Sequence, residues 1–138
     1  KTEESLALLA HLCFEKNETS VGQSIALHIS GHYPEISEHC QQLHYKRMKY
    51  NYRTGLGGIN MDGSIIRQGT VDALQSYFWA TGHSFPDFAV QAERKAKKLG
   101  MEIFAIACDG ELVGLITSEK IWPLSLNRTL NQSLAITA

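Results

Sequence analysis

Two Asp-Gly pairs decide most of what this chain can fold into. Asp62-Gly63 stands between "GINM" and "SIIRQ", and Asp109-Gly110 between "MEIFAIAC" and "ELVGLITS". A two-residue turn of type I′ needs positive φ at both central positions, and its twist matches that of the strands it joins, which is why Asp followed by Gly marks a hairpin. Each pair therefore predicts an antiparallel hairpin, the first over residues 57–69. The same turn chemistry explains both aspartates without a catalytic role. The apolar density of the second pair of runs places them in the middle of a sheet.

The rest of the chain reads as helices and one more strand. Leu6, Leu9, Ala10 and Cys13 recur at helical spacing within residues 3–16, and Ile25, His28, Ile29 and His32 do so within 24–32. Pro34 opens a short helix through Gln42, after which "LHYKRMKYNYR" alternates large apolar and basic residues as a half-buried strand does. Thr70 caps "VDALQSYFWAT", which Gly82 stops. Ser84 or Pro86 opens a further amphipathic helix ending in "ERKAKKLG", with cations in its last turn and Gly100 to close it. Helices are expected near 4–16, 20–32, 71–81 and 86–99, and strands near 43–50, 56–61, 64–69, 102–108 and 111–117. That order predicts an α+β domain, an antiparallel sheet of about six strands flanked by helices. The domain is expected to span residues 1–121; residues 122–138, with one charge and weak periodicity, read as a tail or the start of a further element.

Length and composition bound the function classes. A chain of 138 residues suits one domain with a real core. A charged content of 20% and a formal net charge of −1 lack the basic excess that nucleic acid or an anionic membrane selects, so neither is an expected partner. No apolar run approaches the roughly 18 residues of a membrane span, and "KTEESLALLAHLCF" carries acids where a signal peptide carries basic residues, so a soluble chain is expected. Cys13, Cys40 and Cys108, odd in number and widely spaced, point to reduced thiols in a cytoplasmic setting, each a small buried apolar residue.

Several stretches carry possible chemistry. "TGLGG" at 54–58 offers backbone N–H groups to a phosphate, and equally suits a bulge where strands bend. His28 and His32 lie one helical turn apart, with His39, Cys40 and His44 following, so a zinc site is one reading and simple packing the other. "ERKAKK" at 93–98 reads as a solvated helix face. "YFWATGHSF" offers rings for stacking on a base, but Tyr77, Phe78 and Phe85 are expected in the core.

The wording around the glycines resembles the nucleotide-binding domain of P-type ATPases, most closely the branch of the Kdp potassium transporters. "ETSVGQSI" at 18–25 resembles the family's Thr-Pro-Glu-Gly-Arg-Ser-Ile, and "GINMDGSIIRQGTVDAL" its Gly-Ile-Asn-Ile-Asp followed by Ile-Arg-Lys-Gly-Ser-Val-Asp-Ala. "HSFP" is similar to its His-Phe-Pro with one residue inserted, and "DGELVGLI" to the strand pair leading out of that domain. The likeness covers residues 5–121 in the family's order. It implies a cytoplasmic domain of a membrane-embedded pump that holds the adenosine of ATP, with Mg²⁺ on the nucleotide. Such a domain delivers the γ-phosphate to a separate phosphorylation domain, beside actuator and transmembrane domains.

Position by position, the resemblance puts Tyr50 on the phenylalanine that stacks on adenine, Gly57 on a serine and Gly58 on a glycine. Gln68 falls on a pocket lysine, Gly69 on the glycine beside it and Val21 on a pocket glutamate; Thr19, Gly22 and Ser24, in the first motif, complete the implied nucleotide-binding set. Replacing a lysine by Gln68 and a glutamate by Val21 removes both charged handles of that pocket, so weakened nucleotide binding is expected. "GLGGIN" is also similar to the Gly-x-Gly-x-x-Gly of the heavy-metal branch, with Asn60 in place of the last glycine, but that branch's Ser-Glu-His-Pro is missing. The chain carries no Asp-Lys-Thr-Gly-Thr and no Thr-Gly-Asp-Gly, so by itself it is not expected to complete phosphoryl transfer. A related module that keeps the fold without nucleotide, and a His/Cys metal-binding module, are the alternatives.

Overall fold

The computed structural model describes residues 2–15, 20–118 and 121–123. Its elements are α1 (Thr2–Phe14), α2 (Ser20–His32), α3 (Ile36–Gln41), β1 (Lys46–Asn51), β2 (Leu56–Met61), β3 (Ser64–Thr70), α4 (Val71–Ala80), α5 (Asp87–Lys98), β4 (Phe104–Cys108), β5 (Glu111–Ile116) and β6 (Ile121–Pro123). The fold is α+β, as expected. All six strands form one sheet in chain order, β1-β2-β3-β4-β5-β6, and every neighbouring pair is antiparallel.

Both turn signals hold in backbone terms. Asp62 and Gly63 sit at φ 51° and 81°, and Asp109 and Gly110 at 52° and 86°, the all-positive pattern of a type I′ turn. Asp109 does more than turn the chain. Its backbone N–H donates to Ile65 O at 2.9 Å and its Oδ1 accepts from Ile65 N at 2.8 Å, which ties the second hairpin to the start of β3. The Ile65 N–H also holds the Asp109 carboxyl below its ordinary range.

Side-chain alternation along the strands builds two cores. Ile59, Ile66, Ile106 and Ile116 join Leu6, Ala10, Phe14, Ile25 and Ile29 of α1 and α2 in one cluster. Leu56, Ala105, Ala107 and Leu115 join Leu74 and Phe78 of α4 and Ala89 and Ala92 of α5 in the other. Helices therefore cover both sheet faces, and β4, buried on both sides, needs the continuous apolar run "FAIAC". β1 lies at the edge, half-exposed, and is pinned to α1 by Arg47, which donates to Leu12 O at 3.0 Å and pairs with Glu15 at 3.3 Å.

Helix ends follow local chemistry. Thr70 accepts from Ala73 N at 3.2 Å, and Gly82 and Gly100 take up φ 80° and 72° just past their helices. α5 starts at Asp87 behind Pro86. The strand expected at 43–50 begins instead at Lys46, and that expected at 102–108 begins at Phe104. β6 runs to Pro123, two residues past the expected domain end, because Leu115 pairs with Trp122 and Gly114 with Pro123. Most of the expected tail, along with Thr19 and Lys16, lies outside the described residues. Among the described residues no helix is long and apolar enough to cross a membrane.

Candidate nucleotide site

The structure divides the implied nucleotide-binding residues into two groups. Tyr50, Gly57 and Gln68 meet where β1, β2 and β3 come together. A Cβ on Gly57 would lie 2.6 Å from Gln68 Nε2 and 3.2 Å from the Tyr50 ring, so the bare backbone at 57 is what lets the amide and the aromatic face approach. Gly57 and Gln68 are direct cross-strand partners, and Gln68 is 2% exposed. Tyr50 is half-buried, with Tyr52 set edge-on to it at 4.8 Å between ring centroids.

The other two glycines of this rim are filled by the chain's own backbone. A Cβ on Gly58 would sit 2.0 Å from Ile66 O, and its φ of 150° already favours glycine. A Cβ on Gly69 would sit 2.4 Å from Gly55 O and 3.3 Å from the Ala73 side chain. Arg67 bonds back to the same hairpin, donating to Ile66 O at 2.9 Å and Asn60 Oδ1 at 3.0 Å. "TGLGG" is thus accounted for by close approach of strands and of the β3–α4 junction.

Val21 and Ser24 stand in the first turns of α2. They line a cavity of about 450 Å³ with Ser20, Gly100, Met101, Glu102, Thr117 and Ser118, and none of Tyr50, Gly57, Gln68 or Gly69 lines it. Ser20 and Ser24 stand one turn apart on α2, so both hydroxyls share a face. Met101 and Glu102 come from the connection into β4, Thr117 and Ser118 from the chain leaving β5; these two segments are neighbours because Phe104 pairs with Ile116. Gly22 is buried within α2. The lining combines four hydroxyls, one carboxylate and the apolar side chains of Val21 and Met101, a donor set suited to a small ligand with both polar and flat apolar parts. Met101, Glu102, Thr117 and Ser118 carry no motif. The one signal for them is the shortness of the link between the Gly100 stop and the next strand.

The histidines and cysteines pair differently from the zinc reading. His28 and His32 stack on each other at 4.2 Å between ring centroids, His32 Nδ1 lying 3.2 Å from the His28 carbonyl. Cys40 turns inward to His11 of α1, with Sγ 3.5 Å from Nδ1, while Nε2 lies 3.2 Å from Ser30 Oγ. Burial, and after it the Glu15 carboxylate, pushes the Cys40 thiol up to about 11. Burial pushes Cys13 up to about 12. Both stay neutral and unreactive at ordinary pH. Cys108, by contrast, is only half-buried. Among the described residues no group of three or more His, Cys, Asp or Glu side chains is placed to hold a metal ion.

Burial also lowers His11 below 6.5, against the opposing pull of Glu15 at 3.7 Å. The unfolded chain therefore takes up the proton first. Stability from this group is whole above pH 6.5 and is lost as the pH falls from there through the folded value. Unfolding midpoints measured between pH 7.5 and 5 (assay settings of about the range where histidine titrates) are expected to drop more steeply for the natural chain than for His11→Gln. Parallel profiles would show that His11 is no more buried than a surface histidine.

The remaining stretches resolve by burial. Phe78 is fully buried, and Tyr77 and Phe85 are half-buried against the same cluster. In "ERKAKK" the cations face solvent, but Glu93 turns inward, and burial followed by the nearby Asp72 raises its carboxyl. Solvated-face reasoning fails at this one position, because Glu93 falls one residue after Ala92 and three before Ala96, on the buried side of α5. No family model matches the chain.

Proposed function

We propose that this chain is the ATP-binding domain of a P-type cation-transporting ATPase. It holds the adenosine of ATP, Mg²⁺ accompanying the phosphates, and presents the γ-phosphate to an aspartate in the phosphorylation domain of the same pump. Actuator and transmembrane domains complete that machine, with this domain on its cytoplasmic side. The observation that carries the reading is the cavity between α2 and the β4–β5 end of the sheet. Two positions that the resemblance assigns to the nucleotide, Val21 and Ser24, line it, and its volume of about 450 Å³ falls within the roughly 300–1,000 Å³ of small-molecule sites. The antiparallel α+β architecture is the one the resemblance implies. Phosphoryl transfer requires an acceptor carboxylate and metal in line with the γ-phosphate, and the chain carries no Asp-Lys-Thr-Gly-Thr, so binding without turnover is its share of the work.

Titration of the chain with Mg-ATP, followed by backbone NMR shifts, is expected to give a dissociation constant in the high micromolar to millimolar range, about −4 to −5 kcal/mol. Shifts should concentrate at Ser20–Ser24, Met101, Glu102, Thr117 and Ser118. ATP hydrolysis by the pure chain would contradict the division of labour. A second reading, a module that keeps the fold without nucleotide, is favoured by the glycine-rich rim, whose spaces at Gly58 and Gly69 are taken by Ile66 O and Gly55 O. Unchanged spectra at millimolar Mg-ATP would select it.

A further inference from the structure

The resemblance assigns nothing to Glu102, yet it lines the 450 Å³ cavity together with Ser20 and Ser24. It also lines a second cavity of about 190 Å³ with Thr70, Asp72, Glu93, Lys97 and Met101, so it stands where the two spaces adjoin. We infer that Glu102 recognises the ribose of the bound nucleotide, its carboxylate accepting hydrogen bonds from the 2′- and 3′-hydroxyls, with Val21 and Met101 forming the apolar wall for the base.

The chemistry of the lining selects that ligand part. An ionised carboxylate has two oxygens that only accept, and a cis-diol presents two hydroxyl donors side by side, so the two match without rearrangement. Charge-assisted bonds of this kind are shorter and stronger than those between neutral groups. Glu102 is exposed in the free chain, and its charge therefore costs little to maintain before the ligand arrives. Serine and threonine hydroxyls both donate and accept, which suits the heteroatoms of a purine and the ribose ring oxygen. The glycine-rich rim offers an amide at Gln68 and a ring at Tyr50 but no carboxylate among its residues, so a diol held there would meet no charged acceptor from them.

This inference rests on the nucleotide-binding reading above, and the experiment separates their failures. Calorimetric titration of the chain and of Glu102→Gln with ATP, 2′-deoxyATP and 3′-deoxyATP is the test. The natural chain is expected to prefer ATP over either deoxy compound by about tenfold, the lower end of what one lost bond to a charged group predicts, because Glu102 is exposed. Glu102→Gln should weaken ATP by more than it weakens either deoxy compound, each of which keeps one of the two hydroxyls, and so erase the preference. Equal binding of ATP and the deoxy nucleotides by the natural chain, or a preference that survives in Glu102→Gln, overturns the role of Glu102 while nucleotide binding stands. Absence of binding by ATP and both deoxy compounds overturns the nucleotide reading and this inference with it.

Discussion

Gly58→Ala is expected to destabilise the fold by on the order of 3 kcal/mol, enough to unfold a good part of the molecules in mild denaturant. Two effects combine. An alanine Cβ would lie 2.0 Å from Ile66 O and 3.0 Å from Arg67 Cα, both backbone atoms of the neighbouring strand, which have no rotamer to move into. The backbone φ of 150° adds strain that any side chain would feel, about 1 kcal/mol or more. Relief requires β2 and β3 to part at the register pair Gly58 and Arg67, in the most continuous pairing of the sheet. Gly63→Ala is the control. It too sits at positive φ, 81°, but a Cβ there meets nothing within 4 Å, so only the conformational strain remains. Urea midpoints of the two variants should differ clearly, with Gly58→Ala far lower. Similar midpoints would mean that the two strands do not approach as described. A well-folded Gly58→Ala protein that had lost only nucleotide affinity would place a ligand at this backbone.

Phe78→Ala is expected to cost about 3–5 kcal/mol, the usual penalty for emptying a buried aromatic site. Phe78 is 1% exposed and stands at the centre of an aromatic group, with Phe85 edge-on at 5.1 Å, His83 at 6.0 Å and Tyr77 at 6.2 Å between ring centroids. Its backbone carbonyl also takes the N–H of His83 at 2.8 Å, closing the end of α4 around Gly82. The ring thus joins α4, the link that follows it and the start of α5, and its loss should loosen all three. A fall of roughly 10–20 °C in Tm is the expected reading for a domain of this size. Trp79→Ala, one residue along, removes a larger ring that is 65% exposed and should change Tm little. If Phe78→Ala were mild and Trp79→Ala severe, the buried side of α4 would be assigned to the wrong residues, and "YFWATGHSF" would regain its reading as a surface for stacking on a base.

What the amino-acid sequence determined by itself is everything that depends on neighbours along the chain. Asp62-Gly63 and Asp109-Gly110 specify their turns through the φ values only such pairs adopt readily, Thr70 caps through its own hydroxyl, and the runs "GINM", "SIIRQ" and "FAIAC" alternate or stay apolar according to how many faces are covered. Antiparallel hairpins follow from these alone, and with them the α+β class.

Tertiary structure decided whatever depends on groups far apart in the chain. Gly58 is required by a carbonyl across the sheet, Cys40 faces His11 rather than the histidines near it in sequence, and Asp109 bonds to Ile65 of the other hairpin. The candidate site divides in the same way. Val21 and Ser24 were legible through the wording of a motif, but the cavity they line is completed by Met101, Glu102, Thr117 and Ser118, brought in by the pairing of β4 with β5. No local pattern marks those four residues, since a cavity is the space left when helices and sheet have taken their positions, and a chain read one neighbour at a time carries no measure of that space.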